Sequence, residues 1–376
     1  MIAKTLGSTL LSLLIGAAVV GPAKVVATVP VGHYPTSVAV NASTHKVYIS
    51  CFGRRNQGNG NVTVIDELTG NATTVLDPNA NGPYDLALNP VTNKIYVPNL
   101  KSSNVSVIDG TTHAVTTIKD PNASGSVAIA VNTRTNKIYV ANHSTSNVSV
   151  IDGATNRVTA TLRDPNAQLP DAIAVNEATN KIYVANSYSR NVTVIDGATN
   201  AISTIGPFPS GSQPNAVAVN PLTNRIYVAD IGANLIEVID GASNSYITVR
   251  GGDQPVAVAI NTKTNRIYVA NYGHDQAGSV TVLDGLSNLT RTITDPNAVG
   301  PFSIAVDEQA NRIYVANADF IRNTASIIDG NTNAISAIHL PNAKWPYAVD
   351  VDPGLNRAYV ADSQSDNVSI VDGASH

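Results

Sequence analysis

Asn180-Lys181-Ile182-Tyr183-Val184-Ala185-Asn186 is one of eight copies of a single phrase. The others centre on Tyr48, Tyr96, Tyr139, Tyr227, Tyr268, Tyr314 and Tyr359. They recur about every 44 residues, a period that marks solenoids and propellers. Outward from Tyr183 the unit continues on both sides. Ala172-Ile173-Ala174-Val175-Asn176 precedes it, and Asn191-Val192-Thr193-Val194-Ile195-Asp196-Gly197 follows. These are short runs of β-branched and aromatic residues, the composition of strands. A fourth run, such as Val115-Thr116-Thr117-Ile118, alternates apolar and hydroxyl side chains, as an outer strand facing water should.

The connections carry turn chemistry. Asn-x-x-Thr-Asn, as in Asn89 to Asn93, joins the first two strands, with Asn capping its own turn and tolerating left-handed backbone. Asp-Gly joins the third and fourth in seven units, where glycine is expected to supply a positive φ. The first unit departs, with Asp66-Glu67. Four antiparallel strands per unit and no helical period give an all-β fold, an eight-bladed β-propeller, with a seven-bladed ring as the alternative. The last unit stops at Asp372 without an outer strand, while Val25 to Val29 is an outer strand without a unit. The N-terminal strand is therefore expected to complete the last blade.

These units resemble the YVTN-type repeats of exported YncE-like and surface-layer propellers. The resemblance covers essentially the whole chain after the leader. The phrase reads Tyr-Val-Ala-Asn at Tyr139, Tyr183, Tyr268 and Tyr314, Tyr-Val-Pro-Asn at Tyr96, Tyr-Val-Ala-Asp at Tyr227 and Tyr359, and Tyr48-Ile49-Ser50-Cys51 in the first unit. It implies a fold more than a function, because propellers host unrelated activities. For relatives of this kind it also implies single-stranded DNA binding.

Residues 1–23 read as a secretory signal peptide: Lys4, an apolar run from Leu6 to Val20, then Gly21-Pro22-Ala23. Residues 24–376 read as one propeller domain, exported to the periplasm or cell surface, monomeric and with no membrane span. The net charge of −4 gives no electrostatic case for a nucleic-acid partner. Cys51, the one cysteine, excludes an intramolecular disulfide. The eight motif tyrosines read as packing residues, each burial contributing roughly 1.5–3 kcal/mol, with each hydroxyl expected to find a partner. The sequons at Asn104, Asn147 and Asn191 read as repeat grammar rather than glycosylation sites.

Function is sought in what does not repeat. Apart from the motif tyrosines and Tyr246, ten aromatics remain: Tyr34, Phe52, Tyr84, Tyr188, Phe208, Tyr272, Phe302, Phe320, Trp345 and Tyr347. All fall in or beside loops of one face, the face of unequal loops. Aromatic and arginine side chains are the usual anchors of binding sites. The candidate binding set is Tyr34, Phe52, Arg54, Arg55, Tyr188, Arg190, Tyr272, His274, Phe320, Arg322 and Trp345. Tyr84, Phe302 and Tyr347 read instead as wedges between blades. The recurrent Asp-Pro-Asn-Ala (from Asp77, Asp120, Asp164 and Asp295) reads as turn grammar, since one Asp per loop falls short of a Ca²⁺ site. No nucleophile elbow, phosphate loop or His-Glu-x-x-His occurs. The reading is thus a non-enzymatic propeller without cofactor or metal, binding a protein, an envelope glycan or another polymer. The alternatives are a lactonase-like hydrolase or lyase with a metal held at the channel mouth by His33, His143 or His274, and single-stranded DNA binding.

Overall fold

The computed structural model describes residues 23–54, 59–273 and 277–373. The chain forms eight four-stranded antiparallel sheets, with no helix among the described residues. Blades 1 to 7 follow chain order at 35–75, 87–119, 126–162, 170–205, 214–250, 255–299 and 301–339. Blade 8 takes three strands from the C-terminal end, Pro346–Asp352, Arg357–Asp362 and Asn367–Asp372. Its outer strand is Lys24–Pro30, paired antiparallel from Lys24↔Asp372 to Pro30↔Asn367. Each inner strand packs on the inner strand of the next blade, and that of blade 8 packs on that of blade 1. The ring has eight blades, closed by the N-terminal strand.

Blade 4 shows how the phrase works. In the strand Lys181–Asn186, Tyr183 lies between Ala174 and Val194 on the neighbouring strands. Its ring is fully buried and packs on Ile226 and Val228 of blade 5. Small Ala on one side and a bulky ring on the other let successive sheets interdigitate. The hydroxyls differ from expectation. All eight lie buried and none makes a hydrogen bond of good geometry; Tyr227, Tyr268, Tyr314 and Tyr359 face the arginine of their own strand, and Tyr48, Tyr96, Tyr139 and Tyr183 face none. The neighbouring acceptor is already held: Lys181 reaches across the seam and donates to the Gly241 carbonyl of blade 5 at 2.8 Å. Lys94, Lys137, Arg225, Arg266 and Arg312 do the same to the corresponding glycine carbonyls. Burial pushes the Tyr183 phenol up to about 12, so it stays protonated.

Glycine in the Asp-Gly turn serves a different purpose from the one expected. The left-handed residue of that turn is Asn200, at φ 62°, while Asp196 Oδ1 accepts from the backbone of Ala198 and Thr199. Gly197 is required by space: a Cβ there would stand 2.4 Å from Asn180 Oδ1. Asn180 itself, at φ 55°, ends the Asn-x-x-Thr-Asn turn and accepts at 2.8 Å from Asn132 Nδ2 of blade 3. Equivalent amide bonds join Asn41 to Asn93, Asn89 to Asn136, Asn176 to Asn224, Asn220 to Asn265 and Asn261 to Asn311. Thus each of the five seams from blade 2 to blade 7 carries an aromatic wedge, a cation on a carbonyl and an amide pair, while Lys46 turns instead to Asp66 at the seam of blades 1 and 2, and Asp307 replaces the asparagine at that of blades 7 and 8.

The remaining repeat features are structural. Asp120, in the connection between blades 2 and 3, accepts from Ser149 at 2.6 Å and Thr161 at 2.7 Å in blade 3. Asp77 and Asp164 repeat that latch. Asn191 of a sequon is buried, bonded to Asn186 and to the Asn166 carbonyl. Cys51 is buried, and that burial pushes its thiol up to about 12, away from reactivity.

Candidate functional site

The loop after the second strand of blade 7 folds on one carboxylate. Asp319 Oδ1 accepts from the backbone of Ile321 and Arg322, both at 2.6 Å. This Asx-type turn thrusts Phe320 and Ile321 outward, 61 % and 89 % exposed. Phe320 lies against Trp345 of the next connection, ring centroids 4.1 Å apart at 44°. Tyr272 of blade 6 forms the facing wall. Between them is a pocket of about 460 Å³, lined also by Val299, Gly300, Ala318 and Arg322. Gly300 at φ 65° leaves it open, because a Cβ there would lie 2.8 Å from the Ala318 carbonyl and 3.1 Å from the Tyr272 ring. The Arg322 guanidinium donates to the Pro296 carbonyl at 2.6 Å. The second Asp319 oxygen is buried without a hydrogen-bond partner. The pocket thus offers flat aromatic walls and one cation, which is the pattern of a ligand site.

The aromatics continue as a belt across blades 6 to 2. Tyr272 meets Phe302 edge-on at 6.2 Å, and Phe302 meets Tyr347 at 4.5 Å. Tyr347 lies beside Tyr84, and Tyr84 meets Phe52 edge-on at 6.2 Å. Lys101 Nζ caps the Phe52 ring at 4.1 Å, a cation–π contact. Tyr84, Phe302 and Tyr347 are half-buried and touch one another rather than being sealed inside separate seams. Burial foremost, then Tyr84, Tyr34 and Asp85, push the Tyr347 phenol upward. Asp350 sits on the inner strand of blade 8 and Asp85 just before that of blade 2, each raised to about 6 by burial. Both clamp neighbouring blades: Asp85 accepts from Ser37 and from the Ile129 backbone, and Asp350 from the Val40 backbone at 2.9 Å.

The structure divides the candidate set. Tyr272, Phe320, Arg322 and Trp345 converge on the pocket. Tyr34 and Arg54 belong to the seam of blades 8 and 1, with Phe52 in the belt. Arg54 Nη2 donates to both oxygens of Asp366, at 3.1 and 3.0 Å. Asp366 also takes His33 Nδ1 at 2.8 Å and the Tyr34 backbone N–H at 3.0 Å. The Arg54 charge is therefore already matched. Tyr188 and Arg190 stand on blade 4, across the ring from blade 8. Tyr188 is exposed, and the Arg190 carbonyl accepts from Phe208 N–H at 2.7 Å. Phe208 is buried against Tyr246, centroids 4.9 Å apart, and is a packing residue. Arg55 and His274 lie outside the described residues. His33 and His143 do not share a ligand position: His143 pairs with Asp171 at 3.3 Å, near the seam of blades 3 and 4.

Sequence reasoning missed Asp319 and Ile321. They lie in a loop two residues longer than that of blade 4 (Asn317 to Thr324 against Asn186 to Asn191), so comparing loop lengths unit by unit would have exposed them.

No protein-family model matches the chain, and no curated protein matches it. Among solved structures it is similar to the hydrazine synthase of Kuenenia stuttgartiensis, with a TM-score of 0.61 and 17% identity over 78% of this chain and 96% of that one. At that identity the likeness shows the propeller fold alone.

Proposed function

We propose that this protein is an exported, monomeric binding propeller of the YVTN type, and that its partner docks on the face of unequal loops at the pocket of blades 6 to 8. The single observation that supports this most is Phe320 and Ile321, held outward over a pocket walled by Tyr272 and Trp345. Large apolar side chains exposed beside a cavity mark interaction sites. Of the partners considered, an envelope glycan suits the chemistry best: a sugar ring stacks its C–H face on Phe320 and Trp345, with Arg322 at the rim to take a hydroxyl. A protein loop carrying an apolar anchor would use the same walls. The role is binding rather than catalysis. The test is affinity for purified envelope polysaccharides and for envelope proteins. Combined Phe320→Ala and Trp345→Ala should weaken binding at least about tenfold, since aromatic anchors carry most of such interfaces. Tyr188→Ala, across the ring, should leave it unchanged. Parent-like binding by the double variant would place the docking surface elsewhere.

A further inference from the structure

On the opposite face, one seam breaks the repeat at three positions together. Where the other units carry Asn at the end of the first turn, blade 1 carries His45. Where they carry Gly after the turn aspartate, blade 1 carries Glu67. Where six units close their inner strand with Asn, blade 8 carries Asp352. The ring brings these three into one place, because blade 8 meets blade 1.

The atoms converge. His45 Nδ1 lies 3.6 Å from Glu67 Oε2, and one ligand atom from each of the three residues lies within 4.8 Å of the others. The Glu67 side chain is fully buried; its carboxyl lies against the Tyr359 hydroxyl and the Asp352 carboxyl, and neither oxygen makes a hydrogen bond of good geometry. Asp352 is 1 % exposed; its Oδ1 accepts from Gly354 and Leu355 backbone, while its Oδ2 is unpartnered and joins the cluster. His45 Nδ1 is likewise unpartnered. Two buried carboxyls held against each other are costly unless a proton or a cation is shared between them. Arg357 donates to the Glu67 backbone carbonyl at 3.3 Å and its charge also acts on the Glu67 carboxylate, offsetting one of the two buried negative charges. Nor is the pattern a random replacement. A Cβ at the Gly position of regular units strikes the Asn Oδ1 at 2.2 to 2.5 Å, so a side chain at 67 is compatible with His45 and not with the usual Asn.

We propose that His45, Glu67 and Asp352 form a binding site for a divalent transition metal of the zinc class, which clasps blade 8 to blade 1. One imidazole and two carboxylates suit Zn²⁺ or Mn²⁺, and three protein ligands leave a fourth position for water. Ligands about 2.0–2.1 Å from a tetrahedral zinc stand about 3.3 Å apart, close to the His45–Glu67 separation. The half-exposed His45 ring gives the ion an entry path. Three ligands fall short of the six to eight oxygens Ca²⁺ takes. The site is independent of the pocket on the other face.

The test uses the full chain, stripped with chelator and dialysed against Zn²⁺, Mn²⁺ or Ca²⁺. Elemental analysis should find one Zn²⁺ per chain, and saturating Zn²⁺ should raise the melting temperature by several degrees. Ca²⁺ should do neither. Restoring the repeat with His45→Asn, Glu67→Gly and Asp352→Asn should leave a folded ring that binds Zn²⁺ at least about tenfold more weakly. Glu67→Gln, nearly isosteric, should weaken it in the same direction if the triple variant fails to fold. Substoichiometric metal in the parent, or equal binding by the variants, overturns the proposal; the cluster would then hold a shared proton instead.

Discussion

The seam between blades 3 and 4 and the seam between blades 8 and 1 place different atoms in the same positions. In the first, Asn132 donates to Asn180 at 2.8 Å, and Lys137 donates to the Gly197 carbonyl at 2.6 Å. In the second, Asp352 and His45 stand where those amides stand, Glu67 replaces the glycine, and Arg357 reaches its carbonyl at 3.3 Å. A joint of two neutral amides and one cation becomes one in which an imidazole and two carboxyls stand beside the cation. The five seams between blades 2 and 7 are regular. The most irregular one joins the last blade to the first, so with the pairing of Lys24–Pro30 in blade 8 it helps to keep the ring shut. The comparison teaches that chemistry in this molecule is found by asking where the repeat stops satisfying itself.

The largest expected effect tests the regular seam. Tyr183→Ala removes a fully buried ring that packs on Ile226 and Val228. It should cost about 3–5 kcal/mol in a denaturant titration, as other large-to-small aromatic truncations do. A loss under about 1 kcal/mol, within the range of surface changes, would mean that the repeated phrase does not carry cohesion between blades.

Blade 5 supplies a second irregular point. Glu237 replaces the Ser or Thr of the third strand and is fully buried with its carboxyl against that of Asp230. Its connection from blade 4 lacks the Asp of Asp-Pro-Asn, so the third strand brings its own carboxylate. Burial, then Asp230, push the Glu237 carboxyl from the usual 4.5 up to about 9. The sign follows. Between those values the folded chain holds a proton that the unfolded chain releases, so stability falls as pH rises. One proton corresponds to about 1.4 kcal/mol for each pH unit across that window. Below it both states are protonated and the effect vanishes. Asp85, Asp350 and Asp362 are also raised and add slopes of the same sign. The measurement is therefore the difference between parent and Glu237→Thr. The variant should gain stability on the parent from pH 5 to pH 8, its hydroxyl donating to Asp230 as Ser369 donates to Asp362 at 2.7 Å. Parallel pH profiles would show that Glu237 is ionised in the folded chain.

Much of this was legible in the residues. The phrase around Tyr183 carried strand type and order, and the missing outer strand after Asp372 carried the closure on Lys24–Pro30. Turn geometry was less legible, because Gly197 serves space and Asn200 serves φ, and both types tolerate left-handed backbone. The aromatic count gathered the candidates on one face but grouped Tyr188 with Phe320, which are on blades 4 and 7. Unit number is angular position in a ring, so that separation was present in the sequence and needed the ring to be read. His45 and Asp352 stand at opposite ends of the chain, and only closure makes them neighbours.

Transplanting the irregular seam sharpens the contrast. Gly197→Glu forces a Cβ to 2.4 Å from Asn180 Oδ1 and should cost about 1–3 kcal/mol, the usual range for overpacking. Adding Asn180→His should recover part of that loss if positions 45 and 67 are coupled by the same steric logic. No recovery in thermal melts would separate the two substitutions and leave Glu67 without a spatial rationale.

The smallest expected effect concerns the other face. Phe320 is 61 % exposed and rests on Trp345, so Phe320→Ala should change stability by less than about 0.5 kcal/mol, as surface substitutions do. A seam residue cannot behave this way, because its ring is sealed between two blades. Phe320 is held outward instead by the two Asp319 hydrogen bonds, and those survive its truncation. If Phe320→Ala melts like the parent and loses its ligand, the energy of the side chain is spent on the partner and not on the fold. If it lowers the melting temperature as Tyr183→Ala does, Phe320 is one more packing residue, and the division between a structural face and a binding face fails at its best-placed residue.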